Sequence, residues 1–343
     1  MTSKLIWAGV AMLGCLAVSC ANGANAPAAG IRSPEWNNNL KLAVNDATKA
    51  AAAMQAMPEA DRAAFAAEVL AALQTKRQHM SNKGTWANDF AAIAAGLVAG
   101  SGAAKPAVLS AVAAGIVSAC VDPETRELTN GSLAQLGALA KRVEAQLKSE
   151  DRVAFAHTLL VTIDKQKAVD AAAHKQAMSV AALGLFAGSG DVSSRVIAEA
   201  FAVTDVNDLG AVAKVFSDTF NQRKNKTGNE EYLQLALQIE QAVAARVKGM
   251  ADATTRLAYV VAAFLDGAAN PAQFKKQLLG KLADLQDGNW ATEESFASVL
   301  AAAKKDVTAC AGIGHELADL LRIDRNTPFV HENRPIPSTY QNQ

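Results

Sequence analysis

Aromatic residues make up only 5% of this 343-residue chain, and proline occurs nine times. Neither sign of charge dominates: 33 Lys+Arg stand against 33 Asp+Glu. A nucleic-acid partner is therefore not expected, because that function leaves a basic face or a strongly basic domain. Charged residues amount to 19% and apolar ones to 50%, which excludes a mostly disordered chain. No segment alternates apolar and polar residues for long enough to argue a strand. No apolar stretch reaches the roughly 20 residues of a spanning helix. The most apolar part, residues 90–119, is split by Lys105 and Pro106. What remains is a chain rich in alanine, leucine and valine, which favours helix over sheet. Its length suits one large domain or two to three small ones.

The N-terminus has its own character. Lys4 precedes an apolar run over residues 5–18, followed by small and polar residues up to Pro27. A short positive region, an apolar core and small residues at the exit describe an exported leader. Ala17-Val18-Ser19-Cys20 resembles the lipobox of bacterial lipoproteins, in which small residues precede an invariant cysteine. Ala17 departs from the commonest pattern, which has leucine three residues before the cysteine. Met12-Leu13-Gly14-Cys15 is a weaker match, and an ordinary leader cut near Gly23 is the alternative. The resemblance implies cleavage before Cys20, lipid on its thiol and new amino group, and a membrane-anchored protein of the bacterial cell envelope. It covers the leader alone, residues 1–19, with residues 20–32 as a flexible tether.

Beyond the tether the chain repeats itself. Asp61-Arg62-Ala63-Ala64-Phe65 matches Asp151-Arg152-Val153-Ala154-Phe155 at an offset of 90 residues. Leu97-Val98-Ala99-Gly100-Ser101-Gly102 matches Leu185-Phe186-Ala187-Gly188-Ser189-Gly190 at an offset of 88. Arg256-Leu257-Ala258-Tyr259 matches the first motif in a fainter third copy, with Asp287-Gly288-Asn289 in place of the glycine turn. An insertion near residues 205–230 accounts for the wider second spacing. Repeats constrain the fold before any element is assigned. Stripes such as Phe65, Val69, Leu73 and Tyr232, Leu235, Ile239, Val243 have helical period.

The expected fold is all-α: about three degenerate four-helix repeats over residues 33–120, 121–204 and 205–310, forming a compact array or bundle. Each copy opens with an amphipathic helix, near residues 35–56, 131–148 and 229–248. Residues 311–343 follow as a short helix and an extended tail, because Pro328, Pro335 and Pro337 cannot join a helix.

Residues that carry chemistry are sparse. His315-Glu316 resembles the start of the zinc-protease motif, but Asp319 stands where the second histidine belongs. Two ligands are too few for a catalytic zinc, so no metal and no cofactor is expected. His157 has Ala67 as its counterpart, which argues against a role common to the copies. The glycine turns at residues 100–102 and 188–190 follow no strand and lack the Gly-Lys-Ser/Thr ending of a P-loop, so they read as interhelical turns. Arg62 and Arg152 read as members of ion pairs at helix starts. No catalytic residue is assigned.

Cys120 and Cys310 are the cysteines left once the leader is removed. An exported even pair suggests one disulfide. An open array would hold such points far apart, since helix layers are about 8–10 Å apart and a disulfide needs Cα atoms within about 7 Å. The expected form is the compact bundle with the bond.

The functional expectation is a lipid-anchored, non-enzymatic scaffold or binding surface of the envelope, with the membrane and an envelope protein as partners. The alternatives are an envelope hydrolase with a site near His315 and a carrier of an apolar ligand among the small-residue helices.

Overall fold

A computed structural model describes residues 32–78, 83–221 and 224–268, together with residues 272, 273 and 276. The chain divides into a short unit, residues 1–38, and a main body, residues 39–343. Ser33, in the short unit, opens α1 (Pro34–Ala43), whose residues 39–43 belong to the main body, and its Oγ accepts from the Trp36 N–H at 3.1 Å. Pro34 follows at the first helical position, where its missing N–H is not needed. The Arg32 guanidinium lies 4.1 Å over the Trp36 ring.

The main body holds eleven further α-helices among the described residues. They are α2 (Ala47–Ala56), α3 (Arg62–Gln78), α4 (Lys83–Ala99), α5 (Lys105–Cys120), α6 (Leu133–Gln146) and α7 (Ser149–Asp164). Then come α8 (Ala171–Gly188), α9 (Ser193–Val203), α10 (Leu209–Asn221), α11 (Lys224–Val247) and α12 (Ala253–Gly267). The described residues form no strand; two isolated bridges tie Leu128 to Val121 and to Ala168. The protein is all-α.

Packing follows one rule. Each helix lies against the second helix along the chain: α2 on α4, α4 on α6, α6 on α8, α8 on α10 and α10 on α12. The others do likewise, from α3 on α5 to α9 on α11, and most consecutive helices from α2 onward touch across the two layers. Phe65, Leu70 and Leu73 of α3 and Phe155, Leu159 and Leu160 of α7 are buried between the layers. Each such side chain contributes about 1.5–3 kcal/mol. The alanine-rich α8 is buried along residues 177–186.

Close approach within a layer rests on glycine. A Cβ on Gly96 of α4, or on Gly100 just past its end, would meet the Ala47 or Ala51 carbonyl oxygen of α2 at 2.3 Å. One on Gly184 or Gly188 of α8 would meet the Gly137 or Lys141 carbonyl oxygen of α6 at 2.4 Å. The two joints are the same joint. Every residue on α8 is 88 past its counterpart, and every residue on α6 is 90 past its own.

One expectation is corrected in detail, and one is filled in. Residues 35–56 make two helices, because Asp46 takes an extended backbone (φ −157°) and its side chain accepts from the Lys49 N–H at 2.9 Å. An aspartate that caps a helix interrupts the one before it. The insertion near residues 205–230 contains a helix, α10, whose residues 209–220 are all buried. One added helix shifts the alternation. Arg62 and Arg152 open α3 and α7 in one layer, whereas Arg256 lies in α12, in the other.

Candidate functional site

The repeated Asp-Arg motif builds a joint. Arg62 Nε donates to the Met57 carbonyl at 3.1 Å, Nη2 to Gln55 at 3.3 Å and Nη1 to Ser101 at 2.8 Å. Arg152 repeats the set: Nε to Leu147 at 3.0 Å, Nη2 to Ala145 at 3.3 Å and Nη1 to Ser189 at 3.0 Å. Each guanidinium thus takes carbonyls at the end of the preceding helix and ties them to the turn two helices on. The Gln55, Met57, Ala145 and Leu147 carbonyls are groups of the kind that helix ends leave unpaired, whereas the Ser101 and Ser189 carbonyls also take the Ala104 and Val192 N–H. The turn brings its carbonyl inward by putting Gly102 and Gly190 at φ of 56° and 57°. A Cβ there would stand 2.7 Å and 3.0 Å from the guanidinium. The ion-pair reading of these arginines is therefore corrected for Arg62. Arg152 adds a contact to Asp191 at 3.3 Å, but its main partners are also carbonyls.

Arg256 works differently. Its Nη1 reaches backward to the Val206 carbonyl at 2.6 Å, and its Nη2 pairs with Asp252 at 2.6 Å. It forms the wall of an open cleft of about 220 Å³ where α10 and α12 begin side by side. Lys175 from α8, Asn207, Thr255 and Tyr259 also line it. Lys175 meets Asp208 at 2.8 Å, and the hydrogen bond from Arg256 holds the Asp252 carboxyl below its usual range. Two cations thus face two carboxylates. Two helix N-termini add partial positive charge at its floor. The cleft offers hydroxyls and an amide to a small polar group. Its lining contains no cysteine or histidine and no nucleophile held by a base.

Two buried carboxyls were not expected from the sequence. Glu144 on α6 and Glu240 on α11 are both fully buried, and none of their carboxyl oxygens has a hydrogen-bond partner. Burial pushes the Glu144 carboxyl up to about 9 against the pull of Arg152, and burial pushes Glu240 well above the usual range. A signal for them existed. Leu136, Leu139, Val143 and Leu147 repeat as Tyr232, Leu235, Ile239 and Val243 at a constant offset of 96, which pairs Glu144 with Glu240.

The residues singled out from sequence are scattered. Cys120 ends α5, where it is buried, and its thiol is pushed up to about 12 by burial. His157 pairs with Glu199 at 2.9 Å, and His174 Nε2 lies 3.3 Å from the Asp164 carbonyl oxygen; both contacts are at the surface. Cys20, His79, Cys310, His315, Glu316, Asp319 and His331 lie outside the described residues. Among the described residues no three His, Cys, Asp or Glu side chains converge as a metal site would require. Residues Gly102–Cys120 are long and apolar enough to cross a membrane by length and composition. In the fold, Val108, Val112 and Ile116 of this stretch are fully buried, and α5 packs between α3 and α7. Lys105 at its start binds Asp151 of α7 at 2.7 Å. No family model, curated protein or solved structure matches this chain.

Proposed function

We propose that this chain is a lipid-anchored, non-enzymatic helical-repeat protein of the bacterial cell envelope that presents a binding surface to an envelope protein. The observation that carries the reading is the duplicated joint. A guanidinium tying three carbonyls, beside a backbone-to-glycine approach, fixes one helix on another and serves as a device for rigid spacing. Stacked helix pairs of this kind provide extended surfaces. The leader motif ending in Cys20 supplies the anchor: several acyl chains at about 0.8 kcal/mol per buried methylene hold a protein at a membrane. The cleft beside Lys175 and Arg256 supports a contact role, since its polar groups are fixed by their own ion pairs. It is polar and lies away from residues 90–119, where a carrier of apolar ligands would need its cavity.

The test uses the full chain expressed in a bacterial host, as wild type and as Cys20→Ala. The wild type is expected in the membrane fraction, with lipid mass on the peptide that begins at Cys20, and Cys20→Ala in the soluble fraction. Equal membrane retention of both, with no lipid on that peptide, overturns the anchor. A second arm purifies the wild type from detergent-solubilised envelopes. A stoichiometric envelope protein that is lost on charge reversal at Lys175 supports the surface. Hydrolytic activity lost with His315→Ala contradicts the non-enzymatic reading.

A further inference from the structure

We propose that Glu144 is a proton-operated catch in the second joint: the joint stays closed while the carboxyl holds its proton and loosens as the proton leaves.

The first copy shows what the position is built for. A Cβ on Gly100 would lie 2.9 Å from the Met54 Cβ, and one on Gly188 would lie 2.9 Å from the Glu144 Cβ. Met54 and Glu144 thus occupy one place in the repeat, 90 residues apart, each wedged under the glycine of the next helix in its layer. Both are fully buried. In the first joint the site holds a thioether; in the second it holds a carboxyl with neither oxygen hydrogen-bonded. A neutral acid fills such a site at modest cost, whereas a carboxylate there lacks both water and donors.

The surroundings fix what happens on ionisation. Arg152 of α7 is the cation acting on Glu144. Its guanidinium is already committed to the Leu147, Ala145 and Ser189 carbonyls and to Asp191. The segment of α8 against Glu144, residues 177–188, contains no charged residue, and α4 has none after Asp89. Lys105, the sole charge on α5, is bound to Asp151. On α6 itself, Arg142 binds Asn88 of α4, and Lys141 lies one turn back at the partly exposed surface. A carboxylate at Glu144 is therefore relieved in one of two ways. Arg152 leaves the Ser189 carbonyl for it, or the end of α6 opens to water. Both release the turn at residues 188–190.

The sign follows from linkage. In the open joint the carboxyl is solvated and ionises near the ordinary glutamate value, about 4.3. In the closed joint it keeps its proton up to about 9. Between these values the open form binds fewer protons, so the opening constant rises by up to about tenfold per pH unit. Above that window it levels off.

Hydrogen exchange on the full-length protein between pH 5.5 and 8 tests this, with rates converted to protection factors to remove the intrinsic pH dependence. In the wild type, protection at residues 186–192 is expected to fall several-fold to about tenfold per pH unit. Protection at residues 98–104, the joint with Met54, is expected to stay level in the same sample. Glu144→Met and Glu144→Gln should both make the second joint as flat as the first. Level protection at residues 186–192 in the wild type overturns the catch, and so does an unchanged pH slope in either variant. The comparison of two joints within one wild-type molecule stands even if a variant folds poorly.

Discussion

Arg152 concentrates on one side chain what holds the second joint, so its removal is informative. Arg152→Ala removes the side-chain donor from the Leu147, Ala145 and Ser189 carbonyls, of which Ser189 keeps the Val192 N–H. Unfolding in denaturant is expected to register a loss of about 2–4 kcal/mol, since bonds from a charged donor contribute about 1.5–3 kcal/mol each and part is recovered from water. Arg152→Lys should recover little, because a single ammonium cannot span three carbonyls. Gly190→Ala is expected to cost about 1–2 kcal/mol for its positive φ, with further loss where the new Cβ crowds the guanidinium. The arginine and the glycine turn were legible in the sequence as a pair repeated at matching offsets. Their connection was not, because the partners of Arg62 and Arg152 are backbone carbonyls, which have no sequence identity. The two buried glutamates escaped for the opposite reason: among alanines on a helix, a glutamate reads as solvated. Cys120 can be checked alone. In the folded, reduced protein its thiol should react roughly a hundredfold slower than an exposed one at pH 8, because burial removes both access and thiolate. On unfolded, unreduced mature protein, two free thiols would remove the expected bond between Cys120 and Cys310, and none would establish it.

Helices α6 and α8 share the most extensive contact between elements among the described residues. Gly184→Ala would place a Cβ 2.4 Å from the Gly137 carbonyl oxygen, so the helices must separate and strand the apolar side chains that flank the glycine. Overpacking against backbone has little room to relax, and a loss of about 2–4 kcal/mol in thermal or denaturant unfolding is expected. Asp46→Ala should cost about 1 kcal/mol by removing the cap of α2. At this scale much was legible. The stripe Phe65, Val69, Leu73 lies buried on α3, and Tyr232, Leu235, Ile239, Val243 does so on α11. The break between α1 and α2 was not legible, since no glycine or proline marks it and one side-chain bond at Asp46 decides it. Nor was α10, because its polar flanks concealed a helix whose Ser217 is buried against Tyr232 and the Ala263 carbonyl.

For the main body as a whole, stacking between second neighbours makes each joint a local affair. Helical content and duplication were readable from composition and from the matched motifs. The layer alternation was not, because it depends on which glycines meet which carbonyls, and one inserted helix reverses it for α12. The rigid-spacer reading requires joints that hold independently, as in repeat arrays whose stability is a sum over neighbours. Hydrogen exchange on full-length Arg62→Lys and Arg152→Lys, each compared with the wild type at one pH, tests that most directly. The predicted result is loss of protection at residues 98–105 in the first variant and at residues 186–193 in the second, with the other joint unchanged. Equal loss at both joints in both variants would mark a single cooperative core and contradict the array of independent joints.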